Sequence, residues 1–206
     1  MVISCIQGDF NDQYKNHVQI AKYLSEINGK LYFCSTSNVF DGDPTKVHYE
    51  NDVCCPESDY GKFKYNCENA LRKILNDNLC IIRLPAIWGK NSKRLNNLKD
   101  MLESGKDIEV YCNLFRTTNT DIMLAKQINY IVTNNLNGIF HLGSIDVINY
   151  YDFISKLIIK LGYKNKKINK IRLPEEKYFL ALGSIRNELP NYLKISNSNV
   201  INYLAS

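Results

Sequence analysis

The apolar positions alternate between short continuous runs and runs spaced three to four residues apart. Val2 to Ile6 reads as a buried strand, after which Tyr14, Val18, Ala21 and Leu24 recur at helical steps. Leu31 to Cys34 is the next strand, and a loop containing Asp41-Gly42-Asp43-Pro44 follows it. Ser58 stands where it can cap a helix with the apolar stripe Phe63, Cys67, Ala70, Leu71 and Ile74. Leu79 to Leu84 is a strand again. The pattern then predicts a helix near 92–104, a short strand at Ile108 to Tyr111, a helix from about Asp121 to Val132, and an extended stretch from Gly138 to Leu142. Asn149 precedes a helix carrying Phe153, Leu157, Ile158 and Leu161, which Gly162 stops.

Strands that are short, apolar throughout and separated by helices belong to a parallel sheet covered on both faces, so the fold class is α/β. From about residue 112 the strand signals thin out, which predicts a smaller C-terminal lobe over the edge of the sheet. A chain of 206 residues with 45% hydrophobic and 23% charged positions can bury a core of its own. No apolar run reaches the length of a membrane span, and Met1 to Ile6 lacks the length and basic flank of a secretion signal, so a soluble, cytoplasmic protein is expected.

Seven cysteines form an odd set without a C-x-x-C pair, and several fall inside apolar runs. A disulfide scaffold and a zinc site are therefore not expected. His17, His48 and His141 are too scattered to make a metal cluster and are read as surface or packing residues. The net charge of +5 is uneven: residues 150–206 carry +6 and the remainder −1. A basic C-terminal quarter favours an anionic partner, but Lys164, Lys166, Lys167 and Lys170 also read as an ordinary solvated loop. Nucleic acid is not expected as a partner, since nothing accompanies the charge that would select bases.

In an open parallel sheet, ligands bind beyond the carboxyl ends of the strands. The strand ending at Cys34 runs directly into Ser35-Thr36-Ser37, three hydroxyls at such an end. Tyr60 and Lys64 stand four residues apart at the start of the next helix, on one face, where a cation can stabilise a phenolate and bring a tyrosine's pKa down from about 10. Tyr163 and Lys167 repeat that spacing, but without strand-end hydroxyls before them. A third element is the strand through Cys80-Ile81-Ile82 that continues into Arg83-Leu84-Pro85-Ala86-Ile87-Trp88-Gly89, a stiff turn with an aromatic.

Together these segments resemble the extended short-chain dehydrogenase/reductase family, and within it the dTDP-4-dehydrorhamnose reductase branch. The family's S-T-D-Y-V-F-D-G looks like Ser35 to Gly42, its Y-G-K-x-K like Tyr60 to Lys64, and its R-x-x-x-x-Y-G like Arg83 to Gly89, with 24 residues from Thr36 to Tyr60. Weaker similarity covers Thr120-Asp121, Gly138 to Leu142 and the tail from Leu193 to Val200. The resemblance implies a Rossmann-like NAD(P)-binding domain over residues 1–111, incomplete at its N-terminus, and a mainly substrate-binding lobe over 112–206. It implies Tyr60 as the acid that protonates a sugar ketone, Lys64 as the residue that holds the nicotinamide ribose and tunes Tyr60, and Thr36 as a donor to the carbonyl oxygen. Ser35, Tyr60, Lys64, Leu84 and Pro85 would line NADP or NAD. Ser37 and Trp88 would face a nucleotide-linked 4-keto-deoxysugar, and Arg116 and Arg186 its diphosphate.

Three departures accompany the likeness. No glycines stand at the G-x-x-G-x-x-G spacing that seats a cofactor pyrophosphate, and Met1 to Ile6 resembles a later strand of the family, so roughly its first sixty residues have no counterpart. Ser37 and Asn38 replace Asp and Tyr, and Ala86 replaces a substrate-facing aromatic. Three readings stay open: a reductase, truncated or completed by a partner chain; a non-catalytic binding or regulatory homologue; and a sugar-nucleotide epimerase or dehydratase. A homodimer is the other assembly that fits.

Overall fold

The computed structural model describes residues 1–206. The first half of the chain runs β1 (Val2–Ser4), α1 (Phe10–Glu26), β2 (Leu31–Thr36), α2 (Asp59–Leu75), β3 (Leu79–Leu84), β4 (Ala86–Trp88), α3 (Lys93–Glu103) and β5 (Ile108–Tyr111). The second half runs β6 (Leu114–Arg116), β7 (Thr118–Thr120), α4 (Asp121–Thr133), β8 (Gly138–His141), β9 (Ile148–Asn149), α5 (Tyr150–Lys160), β10 (Ile168–Ile171), β11 (Tyr178–Leu180) and α6 (Asn197–Ala205).

The main sheet has the order β1-β2-β3-β8, and every pairing in it is parallel. Successive side chains of a strand point to opposite faces, and the cores follow that rule. Leu31, Phe33, Leu79 and Ile81 pack with Ala21 and Leu24 of α1 and with Phe63, Cys67 and Leu71 of α2. The intervening Tyr32, Cys80 and Ile82 pack with Phe140 of β8 and Ile131 of α4. The sheet is thus covered on both faces, as the continuous apolar runs require. Side-chain caps start the helices where the sequence offers them: Ser58 for α2, Ser92 for α3, Thr120 for α4, Asn149 for α5 and Ser196 for α6. Gly162, with φ of +99°, turns the chain after α5.

A second core joins Trp88, Leu95, Leu98, Ile108 and Val110 to Phe153, Leu157, Val200 and Leu204. The expected division at residue 111 therefore does not follow one cut: 88–110 pack in the lobe, whereas β8 returns to the sheet. Strands do not thin out after residue 112 either. Six of the eleven lie there, each only two to four residues long, too short for periodicity to register. The helical stripe of α1 also differs from expectation. Its buried residues are Gln13, His17, Ala21 and Leu24, and Tyr14 is exposed, because His17 bonds Ser4 Oγ (2.8 Å) and the Gln13 carbonyl (2.6 Å). No helix is long and apolar enough to cross a membrane.

Candidate active site

β2 and β3 run in register, Leu31 opposite Leu79 through Thr36 opposite Leu84, so Thr36 and Leu84 mark one rim of the sheet. There the chain folds into a short 3-10 turn, Ser37–Phe40, whose Asn38 amide is capped by Thr36 Oγ1 (3.3 Å). Asp41 then joins this turn to the start of α2. Its Oδ1 accepts from the amides of Glu57 (2.6 Å) and Ser58 (3.2 Å), and its Oδ2 from the Ser58 hydroxyl and from Asn38 Nδ2 (3.3 Å). Gly61 permits the closest approach of the two segments: a β-carbon there would stand 2.3 Å from the Asn38 carbonyl oxygen. Tyr60 is thereby held beside Thr36.

The phenol is 41% exposed and its ring leans against Phe10, centroids 6.1 Å apart. Burial pushes its pKa above the ordinary value, the Thr36 hydroxyl draws it down, and Cys34 pushes it up again. The net displacement is upward, opposite in sign to the lowering expected from a nearby cation. The Lys64 ammonium turns inward, donates to the Cys34 carbonyl (3.0 Å) and lies over the Phe33 ring at 4.9 Å. Burial lowers the Lys64 pKa, with the thiols of Cys67, Cys34 and Cys5 opposing. Only one of its three protons has a protein acceptor.

A buried polar network lies below this rim. Glu68, one turn beyond Lys64, accepts from Ser35 Oγ (2.5 Å), Arg83 Nε (3.1 Å) and Arg83 Nη2 (2.8 Å). Arg83 also donates to Cys54 Sγ (3.0 Å), meets His141 Nε2 (3.3 Å) and lies over Phe40 at 4.9 Å. His141 Nδ1 faces the Gly183 carbonyl (2.8 Å), and the His141 amide donates to Glu50 (3.1 Å), which also receives Ser184 Oγ and the Ile185 amide. With a cation on one side and a carbonyl on the other, His141 is the neutral Nδ1–H tautomer. Its pKa is lowered to about 4, chiefly by burial.

The structure brings Thr36, Tyr60, Lys64, Leu84 and Pro85 to one rim and sets the other expected residues apart from it. Ser35 turns its hydroxyl onto Glu68, because alternate residues of β2 face α2, so that hydroxyl is not free for a cofactor. Ser37 is buried in the 3-10 turn. Trp88 is 1% exposed and packs on Phe153 within the lobe core, where it cannot present its ring to a substrate. Arg186 flanks β8, bonded to the carbonyls of Asn137 and Ile139 (3.2 Å each) and paired with Glu188. Arg116 ends β6 with its guanidinium over Tyr150. Glu68, Asp41 and His141 were not anticipated as parts of the site's support. Glu68 was legible in principle, standing on the apolar stripe of Phe63, Cys67 and Leu71 where a lone carboxylate needs a buried partner. A depression of about 690 Å³ lies between α1 and α2, and Tyr60 is not among its lining residues.

The RmlD substrate binding domain matches residues 11–178. The chain belongs to that family. A curated relative, the dTDP-4-keto-6-deoxy-D-glucose reductase of Streptomyces niveus, is 27% identical over 169 residues, which are 82% of this chain and 57% of the relative. The chain thus spans little more than half the length of that enzyme. The dTDP-4-dehydrorhamnose reductase of Yersinia enterocolitica superposes with a TM-score of 0.80 at 22% identity, over 91% of this chain and 70% of that one. The Bacillus anthracis reductase solved with NADP gives 0.76 at 18% identity, over 92% and 70%. These structures share the fold, and Thr36, Tyr60 and Lys64 all lie within residues 11–178 of this chain, the part that the RmlD substrate binding domain matches.

A folded-state pKa of about 4 for His141, below its ordinary value of about 6.5, means that the folded chain binds the proton less well than the unfolded one. Stability from this residue is present above about 6.5 and is lost as pH falls through about 4. An NMR titration of the His141 ring should show no protonation at pH 6; a midpoint near 6.5 would contradict the buried network.

Proposed function

We propose that this RmlD-family chain acts in the NAD(P)-dependent reduction of a nucleotide-linked 4-keto-deoxysugar. The observation that supports it is the placing of the Thr36 hydroxyl beside the Tyr60 phenol at the carboxyl rim of a parallel sheet, with the Lys64 ammonium bound to the Cys34 carbonyl of the same strand and two of its protons unclaimed. Those residues suit the nicotinamide-ribose end of a dinucleotide: Lys64 would hold ribose hydroxyls, and Leu84 and Pro85 would pack against the ring. A bound reduced nicotinamide supplies hydride to the carbonyl carbon.

The chain's own residues handle the oxygen. As the carbon gains hydride, the π electrons of the carbonyl move to oxygen, where Thr36 donates a hydrogen bond to the growing charge. Tyr60 gives that oxygen its phenolic proton, so the ketone leaves as an alcohol and the phenolate recovers a proton from water. A phenol whose pKa is raised stays protonated through neutral pH, the state an acid requires.

Tyr60→Phe in the full chain should lower NADPH-dependent reduction of dTDP-4-keto-6-deoxysugars by about 10²–10⁴-fold with an unchanged thermal midpoint. Lys64→Met should weaken NADPH binding as well as rate. Full activity in Tyr60→Phe would overturn the proposal, and sugar-nucleotide binding without any NADPH oxidation by the wild type would assign the chain to the non-catalytic homologues. The pH profile is a second check. An acid works while protonated, so activity should persist through neutrality and fall only as pH rises past the ordinary phenol value of about 10. An alkaline limb near pH 7 would contradict Tyr60 as that acid.

A further inference from the structure

We propose that Cys5 and Cys34 are a redox-sensitive pair, which a peroxide closes to a disulfide between the end of β1 and β2. The two strands pair in parallel, with Val2 opposite Leu31, Ile3 opposite Tyr32 and Ser4 opposite Phe33, so Cys5 and Cys34 are the residues that directly follow the last registered pair. Neighbouring strands lie about 4.8 Å apart, and a disulfide spans roughly 4.4–6.8 Å between α-carbons.

The two thiols also belong to one face of the sheet. Leu31 and Phe33 pack toward α1 and α2, and Ser35 bonds Glu68 of α2. Tyr32 packs on the opposite side with Ile82 and Phe140, and strand alternation puts Cys34 on that side with it. On the neighbouring strand, His17 of α1 bonds Ser4 and meets the Phe33 ring edge-on at 5.0 Å, which fixes Ser4 and Phe33 on the α1 side. Ile3 therefore shares the side of Tyr32, and Cys5, the residue after Ser4, that of Cys34. Other thiols are poorly placed to compete. Cys80 lies opposite Tyr32, two positions before Ile82, the partner of Cys34, which puts it about 8 Å from Cys34 and beyond bridging reach. Cys67 packs in the core on the α1 side.

The pair is asymmetric in the way such a reaction needs. Cys5 is exposed and Cys34 is buried, so a peroxide meets Cys5 first. Burial pushes the Cys34 thiol up to about 11, which keeps it protonated and suits it to resolve the reaction instead of starting it. Oxygen transfer from hydrogen peroxide turns the Cys5 thiol into a sulfenic acid and releases one water. The Cys34 sulfur then attacks the Cys5 sulfur: the S–S bond forms, the S–O bond breaks, and the hydroxyl leaves with the Cys34 proton as a second water. The two sulfurs are oxidised together and the peroxide is reduced. Exchange with a thiol such as glutathione reopens the bond, so it is a reversible staple and not a scaffold. It lies on the strand end that forms the candidate site, because the Cys34 carbonyl receives the Lys64 ammonium and Thr36 follows two residues on. The pairing does not depend on the reductase reading.

The full native chain, treated with hydrogen peroxide, then unfolded, alkylated and digested without reductant, tests this. Two of the seven thiols should become unreactive to the alkylating agent, and mass spectrometry should find one cross-linked peptide joining Cys5 to Cys34 that dithiothreitol dissolves. In Cys5→Ser the Cys34 thiol should remain fully alkylatable after the same treatment. In Cys34→Ser the Cys5 sulfur should stop at the sulfenic acid and be trapped by dimedone; if that variant does not fold, the Cys5→Ser measurement decides. Cys34 still free in oxidised wild type, Cys34 lost equally in Cys5→Ser, or Cys5 joined to another chain or another cysteine would overturn the pair.

Discussion

The buried pair of Glu68 and Arg83 is the constraint on which the site's geometry depends. Glu68 belongs to α2, Arg83 to β3, and Ser35, which shares the carboxylate, to β2. One carboxylate therefore fixes the helix that carries Tyr60 and Lys64 against the two strands whose ends carry Thr36 and Leu84. Burying a charge pair returns little net stability over well-packed apolar residues, whereas leaving one charge alone is costly. Any sliding of α2 that separated the pair would incur that cost. The pair holds helix register more than it adds stability.

The surrounding groups satisfy what remains of this network. Arg83 spends further donors on Cys54 and on a neutral His141, and His141 in turn ties to Gly183 and, through its amide, to Glu50. Residues from the loop after β2, from β8 and from the loop after β11 thus converge behind the rim. The candidate site lies on the rim side of this layer. Asp41 does the local work there, binding the turn after β2 to the cap of α2, and Gly61 leaves room for the Asn38 carbonyl.

Much of this was legible in the sequence because strong local signals agreed with the tertiary outcome. The runs at Leu31 and Leu79, the Ser58 cap and the Gly162 stop all depend on neighbours within a few residues, and the structure follows them. The strand-end hydroxyls, the Y-G-K-x-K segment and their spacing pointed to one rim. What escaped were features decided by contacts distant in sequence. His17 displaces Tyr14 from the inner face of α1 by reaching Ser4, and Lys64 donates to the Cys34 carbonyl. Trp88 illustrates the same limit: the family resemblance implied a substrate contact, but the lobe core encloses it. The short strands after residue 112 pair with partners far along the chain, as β10 does with β5, and leave no periodic trace.

A double-mutant cycle at Glu68 and Arg83, followed by urea unfolding, tests the organising role of the pair most directly. Glu68→Leu and Arg83→Met should each cost about 3–5 kcal/mol by stranding a buried charge, and the double variant should be more stable than either single one. Single losses below about 1 kcal/mol that simply add in the double variant would show that α2 is held in place by something else.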